Sequence, residues 1–170
     1  MCELNTRCPV PVALLLAGLG FDTQALVRER SGALWSSIAR RGVFRHANGQ
    51  WQKNGGFTEL PQQAAIAMAI DAQDRIWLAY ANARVGVVAG ARARVFGVAD
   101  GLPDENITAI GTRGDHVWLG SESGLHWFDG ARFVAIRVRN AGALRGLWGI
   151  VETATGEVWT AGITGIARLT

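Results

Sequence analysis

The sequence predicts an all-β chain, a β-propeller of about four blades with four antiparallel strands each, and two observations predict it. One phrase returns four times at a nearly fixed spacing, and each copy divides into four short apolar runs separated by turn residues. The copies are anchored by Trp35, Trp77, Trp118 and Trp159, which stand 42, 41 and 41 residues apart. A period near 41 built from four strands is the arithmetic of a propeller blade, and no 3.6-residue apolar spacing of the kind helical repeats need is present. Residues 1–170 are therefore read as one domain, or as an incomplete arc of a larger propeller.

The flanks agree as well as the spacing. Gly32 to Leu34, Asp74 to Ile76, Asp115 to Val117 and Gly156 to Val158 each place a turn residue and then an aliphatic one before the Trp. Two positions after each anchor stands a small residue, Ser37, Ala79, Gly120 or Ala161, on the same strand face as the indole. That pairing predicts a close-packed layer admitting one bulky group per strand, with Trp118 buried between blades and Gly120 beneath the facing sheet. A Gly and an aliphatic residue follow in every copy: Gly42-Val43, Gly86-Val87, Gly124-Leu125 and Gly165-Ile166. Gly18, Gly101 and Gly142 open three of the copies, where the second has Leu60-Pro61.

In the second copy the strands are expected at Ile66 to Asp71, Arg75 to Tyr80, Val85 to Ala89 and Arg92 to Val98. In the third they are expected at Ile107 to Ile110, His116 to Gly120, Leu125 to Phe128 and Arg132 to Val138, with Asp129-Gly130 as the last hairpin. The fourth copy yields three strands only, near Gly149 to Thr153, Val158 to Ala161 and Ile166 to Thr170. The apolar run Val10 to Leu16 holds the phase of a fourth strand, which would either close a four-bladed ring or belong to an open arc whose raw ends favour self-association. That run, within Pro9 to Gly20, is too short for a membrane span and contains Pro9 and Pro11. Glu3 before it and the lack of a clean cleavage site after it make it a poor signal peptide.

Composition narrows the function. The chain has 170 residues, 49% of them hydrophobic and 18% charged, which suits a soluble core. Its +3 charge comes from scattered Arg residues, with Lys53 the single Lys, and no basic stripe with interleaved aromatics supports nucleic-acid binding. Cys2 and Cys8 make no disulfide framework. His46, His116 and His126 lack metal-ligand spacing, and the acids of ADGLPDEN (99–106) lack the pattern of a calcium loop, so no metal or other cofactor is expected. Gly18-Leu19-Gly20 is a turn rather than a dinucleotide fingerprint. No nucleophile elbow surrounds Ser36, Ser37 or Ser121, and no catalytic residue is assigned. Trp51, Trp127 and Trp148 are read as packing between blades.

The pattern Gly/Asp-x-aliphatic-Trp-aliphatic-Gly-Thr-x-x-Gly-Leu, preceded by a Gly-Leu turn, resembles the two-component regulator propeller repeat. The third copy fits it best, through Asp115, Val117, Trp118, Leu119, Gly120, Ser121 in place of Thr, Gly124 and Leu125, after Gly101-Leu102-Pro103. The first departs at Ser36-Ser37, and the second has a longer loop before Gly86. The resemblance covers residues 18–170. It implies a non-enzymatic, ligand-binding sensor segment of a bacterial two-component protein, at the extracytoplasmic side of the membrane and working with a histidine kinase module. No kinase nucleotide motif stands in this sequence. A propeller lyase or hydrolase, or a protein-interaction scaffold, is the alternative.

Connectivity places the ligand. In a four-stranded meander the loop leading into the first strand and the turn joining the second and third emerge at the same end. That end would gather Gln62, Gln63, Asp104, Glu105, Asn106 and Arg145 with Arg40, Arg41, Asn82, Arg84, Ser121 and Glu122. Several Arg among amide and acidic groups suit a small anion or a carbohydrate.

Overall fold

The computed structural model describes residues 23–139 and 141–169. Apart from three short 3-10 turns, its regular structure is entirely β. The first blade comprises β1 (Thr23–Arg28), β2 (Leu34–Ile38), β3 (Gly42–Ala47) and β4 (Gln50–Lys53). The second comprises β5 (Ala67–Ile70), β6 (Ile76–Tyr80), β7 (Arg84–Ala89) and β8 (Arg92–Phe96). In the third, β9 (Ile107–Arg113), β10 (His116–Ser121) and β11 (Leu125–Phe128) are followed by β12 (Phe133–Ala135). The fourth has three described strands, β13 (Leu147–Glu152), β14 (Val158–Gly162) and β15 (Gly165–Leu169). Every blade is an antiparallel meander in sequence order.

The strands expected from the sequence are found, with ends shifted by a few residues. The largest shift is at β12, expected from 132 and observed over three residues. Asp129 accepts the N–H groups of Ala131 and Arg132, both at 2.8 Å, which keeps Arg132 in the turn before β12. Among the described residues the four sheets form an open arc and do not close on one another, as the incomplete-arc alternative expects. The strand expected over Val10 to Leu16 lies outside the described residues.

Alternation sets the packing. On β6, Trp77 and Ala79 face the third blade while Ile76, Leu78 and Tyr80 face the first, so a blade has no solvent face and all five residues are buried. Three clusters result, one per blade junction. Trp35 and Val43 pack with Ile76, Leu78 and Tyr80; Trp77, Val85 and Phe96 pack with Val117, Leu119, Phe128 and Phe133; Leu125 and Ala109 pack with Leu147, Ile150 and Val158.

The small residue two positions after the anchor has the role its size implies. A Cβ on Gly120 would lie 2.7 Å from Leu147 Cβ and 3.1 Å from Ala109 Cβ, so the fourth blade seats directly on that backbone. Trp118 departs from expectation, being half-buried rather than enclosed. Trp77 is covered by Phe128 of β11 and Phe133 of β12, whereas the sheet facing Trp118 has no fourth strand among the described residues. The packing role expected for the other Trp is also corrected. Trp51 and Trp127 lie against cross-strand neighbours of their own blades, His46 at 4.9 Å and Trp118 at 6.3 Å between ring centroids. Trp148, in a bulge of β13, is exposed.

Candidate functional site: one rim of the arc

The two ends of the arc differ in how far their polar groups are already engaged. At one end the hairpins β1–β2, β5–β6, β9–β10 and β13–β14 carry acids six residues before two anchors. Glu29 accepts the Trp35 indole N–H at 2.6 Å, Arg45 Nε at 2.6 Å, Arg45 Nη2 at 2.8 Å and the Ser31 hydroxyl at 2.7 Å. Asp71 likewise accepts the Trp77 indole N–H at 2.8 Å, two backbone N–H groups at 3.0 Å and the Arg75 guanidinium. In the third blade a Thr holds that position, and Trp118 donates instead to Glu152 of the next blade at 2.7 Å. A cavity of ≈ 240 Å³ beside Glu29, Trp35 and Arg45 sits at this end; Glu29 and Arg45 pair with each other across it, and Asp74 on its wall accepts the Arg30 N–H at 2.9 Å. These acids lock the anchor indoles.

The opposite rim holds the residues expected to bind. Here the turns between second and third strands meet the segments leading into the first strands, and hydrogen bonds join them from blade to blade. Asn82 N–H donates to Asn106 Oδ1 at 3.2 Å, and Asn106 Nδ2 donates to Glu122 Oε1 at 3.2 Å. The backbone does the same through Ala83 N–H to Glu105 O at 2.9 Å and Gly146 N–H to Glu122 O at 2.8 Å, while Ile163 N–H to Arg145 O at 3.2 Å ties the turn of the fourth blade to its own leading segment. Asn82, Glu105, Asn106, Glu122 and Arg145 thus lie along one ladder crossing the second, third and fourth blades. Asp104 and Arg84 are exposed beside it. Pro61, Gln62 and Gln63 face Asn82 and Arg84 across a cleft of ≈ 420 Å³.

Arg40 and Arg41 occupy the corresponding turn of the first blade, outside that cleft. Both are engaged within the molecule, and Arg40 has φ +62°, a left-handed conformation that Arg rarely adopts. Gly124 keeps open space around its α-carbon, and its N–H bonds the Ser121 hydroxyl at 3.1 Å.

Behind the rim, Glu105, one of the residues expected to bind, neighbours His126, which the sequence did not single out as a site. Glu105 accepts the N–H and hydroxyl of Ser123 at 2.9 and 2.6 Å. Burial works to raise its pKa, but the Ser121 and Ser123 hydroxyls, the Ser123 N–H and the neighbouring His126 hold it below the ordinary carboxylate value. His126 is buried with its Nδ1 unbonded; burial pushes its pKa down, against the opposing pull of Glu105. No three-residue metal-ligating group occurs among the described residues.

These shifts predict an acid transition in two steps. A lowered pKa means the unfolded chain binds the proton first, so stability is complete above the ordinary value and lost as pH falls through the folded one. For His126 the loss begins near the ordinary value of 6.5 and continues below it. For Glu29, held at about 2 by Arg45, Ser31 and Trp35 against the cost of its burial, the loss runs from 4.5 down to about 2. Thermal melts at stepped pH should show the upper step vanish in His126→Leu and the lower one shrink in Glu29→Gln. A pH profile unchanged by both substitutions would refute the assignment.

No protein family and no curated protein matches the sequence. Solved structures do match. The extracellular domain of a hybrid two-component system from B. thetaiotaomicron superposes with TM-score 0.71 at 16% identity, over 89% of this chain. This is the fold of two-component sensor ectodomains. It agrees with the repeat motif, although the chain spans only 21% of that domain's length. Virginiamycin B lyase from Staphylococcus aureus superposes with TM-score 0.64 at 14% identity, covering 87% of this chain and 55% of the lyase. The computationally designed Ika4 protein gives 0.66 at 15%, with 90% of this chain and 93% of Ika4 matched. Among the described residues no helix is long and apolar enough to cross a membrane.

Proposed function

We propose that the chain is a non-enzymatic, ligand-binding sensor segment of a two-component signalling protein, acting outside the cytoplasm and coupled to a histidine kinase module. The observation that carries this reading is the ladder from Asn82 through Asn106 and Glu122 to Gly146, which ties loops of the second, third and fourth blades into one polar rim. A ligand spanning the rim touches several blades at once, so its binding energy depends on how those blades are held relative to one another. That dependence is what a sensor needs. The groups present suit a sugar or a sugar acid: Arg84 and Arg145 for a carboxylate, Asn82, Asn106 and Gln62 for hydroxyls. The fold support comes from sensor ectodomains and the motif support from the repeat.

Lyases share the fold, and a lyase reading would need a general base at the rim. His126 is the imidazole nearest to a rim acid, and it is enclosed rather than presented to the cleft. The sensor reading is preferred on the repeat motif and on the likeness to sensor ectodomains.

Thermal-shift screening of neutral sugars, uronic acids and organic acids tests it. A specific binder should raise the Tm progressively with concentration. Replacing Arg84 and Arg145 together with Gln should abolish that shift and leave the ligand-free Tm nearly unchanged. An unfolded double variant would assign the two arginines to structure, and a screen without any concentration-dependent shift would remove the reading.

A further inference from the structure

The forward face of the fourth blade is an unsealed copy of an interface that the chain makes three times. The position opposite the small residue of the anchor strand is Val43 in the first blade, Val85 in the second, Leu125 in the third and Ile166 in the fourth. Their exposures are 0%, 0%, 1% and 77%. The anchors follow the same course: Trp35 and Trp77 are at 0%, Trp118 is half-buried, and Trp159 is 39% exposed. Val151, paired with Trp159, is also exposed, and the Arg168 guanidinium lies 5.7 Å from the Trp159 ring. Apolar side chains left bare together, in a register that is buried wherever another blade follows, mark a docking face.

The complementary half stands at the other end of the arc. A following blade covers its predecessor with its backward face, and the position of Leu26 on that face is Met68, Ile110 and Ile150 in the later blades. Ile150 is 8% exposed and Met68 and Ile110 are half-buried, whereas Leu26 is 61% exposed. Among the described residues the chain therefore carries both halves of the repeated junction, each exposed.

We propose that a second copy of this chain occupies both, the fourth blade of each copy packing on the first blade of the other. The contact continues the three junctions already inside the chain, and it buries both apolar faces in one event. It is heterologous, so it must close or grow into a filament. Two copies bring eight blades, which lies within the four to eight that propellers typically use, and three copies would exceed it. The inference rests on the fold and stands apart from the sensor reading.

Sedimentation of the 170-residue chain at tens of micromolar tests it, with Ile166→Glu and Leu26→Glu as variants. Both positions are exposed, so the variants should keep the wild-type secondary structure. Wild type should sediment with twice the monomer mass of 18.2 kDa. Each variant alone should pair roughly 100-fold more weakly or not at all, because a buried charge then faces every junction it could form. An equal mixture should recover a two-chain species held by one intact junction, the fourth blade of the Leu26→Glu chain on the first blade of the Ile166→Glu chain, while the junction carrying both glutamates stays open. A monomeric wild type, a Leu26→Glu chain that pairs as well as wild type, or an open-ended ladder of larger species would each overturn the proposal.

Discussion

Trp77→Ala is expected to destabilise the chain by about 3–5 kcal/mol, the range for truncating a fully buried large aromatic. Its indole sits in a nest of Phe128, Phe96 and Phe133, with ring centroids 5.0, 6.1 and 6.2 Å away, so truncation opens a cavity between two blades. It also removes the 2.8 Å donor to Asp71, a carboxylate with little access to water. Trp159 holds the same register without a cover. In the Ile166→Glu background, where pairing between copies should not contribute, Trp159→Ala should cost under about 1 kcal/mol. Trp118→Ala should fall between them, because a half-buried indole bonded to Glu152 loses less. Urea titrations of the three variants read these differences through the midpoint, provided the slope is unchanged. Equal losses at Trp77 and Trp159 would show that the blades do not seal one another in series.

Gly120→Leu should cost about 3 kcal/mol, the upper end of overpacking effects. The new Cβ would begin 2.7 Å from Leu147 Cβ and 3.3 Å from Ile150 Cδ1, and the rest of the side chain would have to push the fourth blade off the third. Leu147 and Ile150 lie on β13, whose opposite neighbour is β14, so the blade can yield only as a sheet. Gly124→Ala is the matched control. It lies in the same repeat motif, has no neighbour within 4 Å and has an ordinary φ, so its effect should be within about 0.5 kcal/mol. The contrast separates a glycine required by close approach from one the motif merely shares. Similar effects at both positions would remove that distinction.

The repeat made much of this fold legible before any coordinates. Four Trp at a near-constant spacing, with a small residue two positions on, specify blades, their register and the face each buries. Burial was less legible, because how deeply a Trp is enclosed depends on the blade that follows it: Trp35, Trp77, Trp118 and Trp159 share a motif and differ in exposure from 0% to 39%. The acids that lock the indoles had a readable signal, since Glu29 and Asp71 both stand six residues before their anchor. The switch at Trp118 to Glu152 of the next blade had none, as it depends on packing across a junction. At the rim, connectivity placed the loops at one end, but not which of them touch. Asn82, Asn106 and Glu122 are joined there by hydrogen bonds, while Arg40 and Arg41 lie apart from the cleft. His126 read as an ordinary blade-face histidine because its neighbour Glu105 is twenty-one residues away in sequence.

The rim crossed by the Asn82–Asn106–Glu122 ladder, and not the acid-locked end, is the proposed ligand-binding face. Hydrogen exchange of the chain, with and without a saturating uronic-acid disaccharide, tests it most directly. Peptides spanning residues 81–84, 103–106, 121–124 and 142–146 should gain protection on binding, while the hairpins at 29–33, 71–75 and 153–157 keep their ligand-free rates. Protection confined to those hairpins, or none at the rim under conditions where the disaccharide raises the Tm, would contradict it.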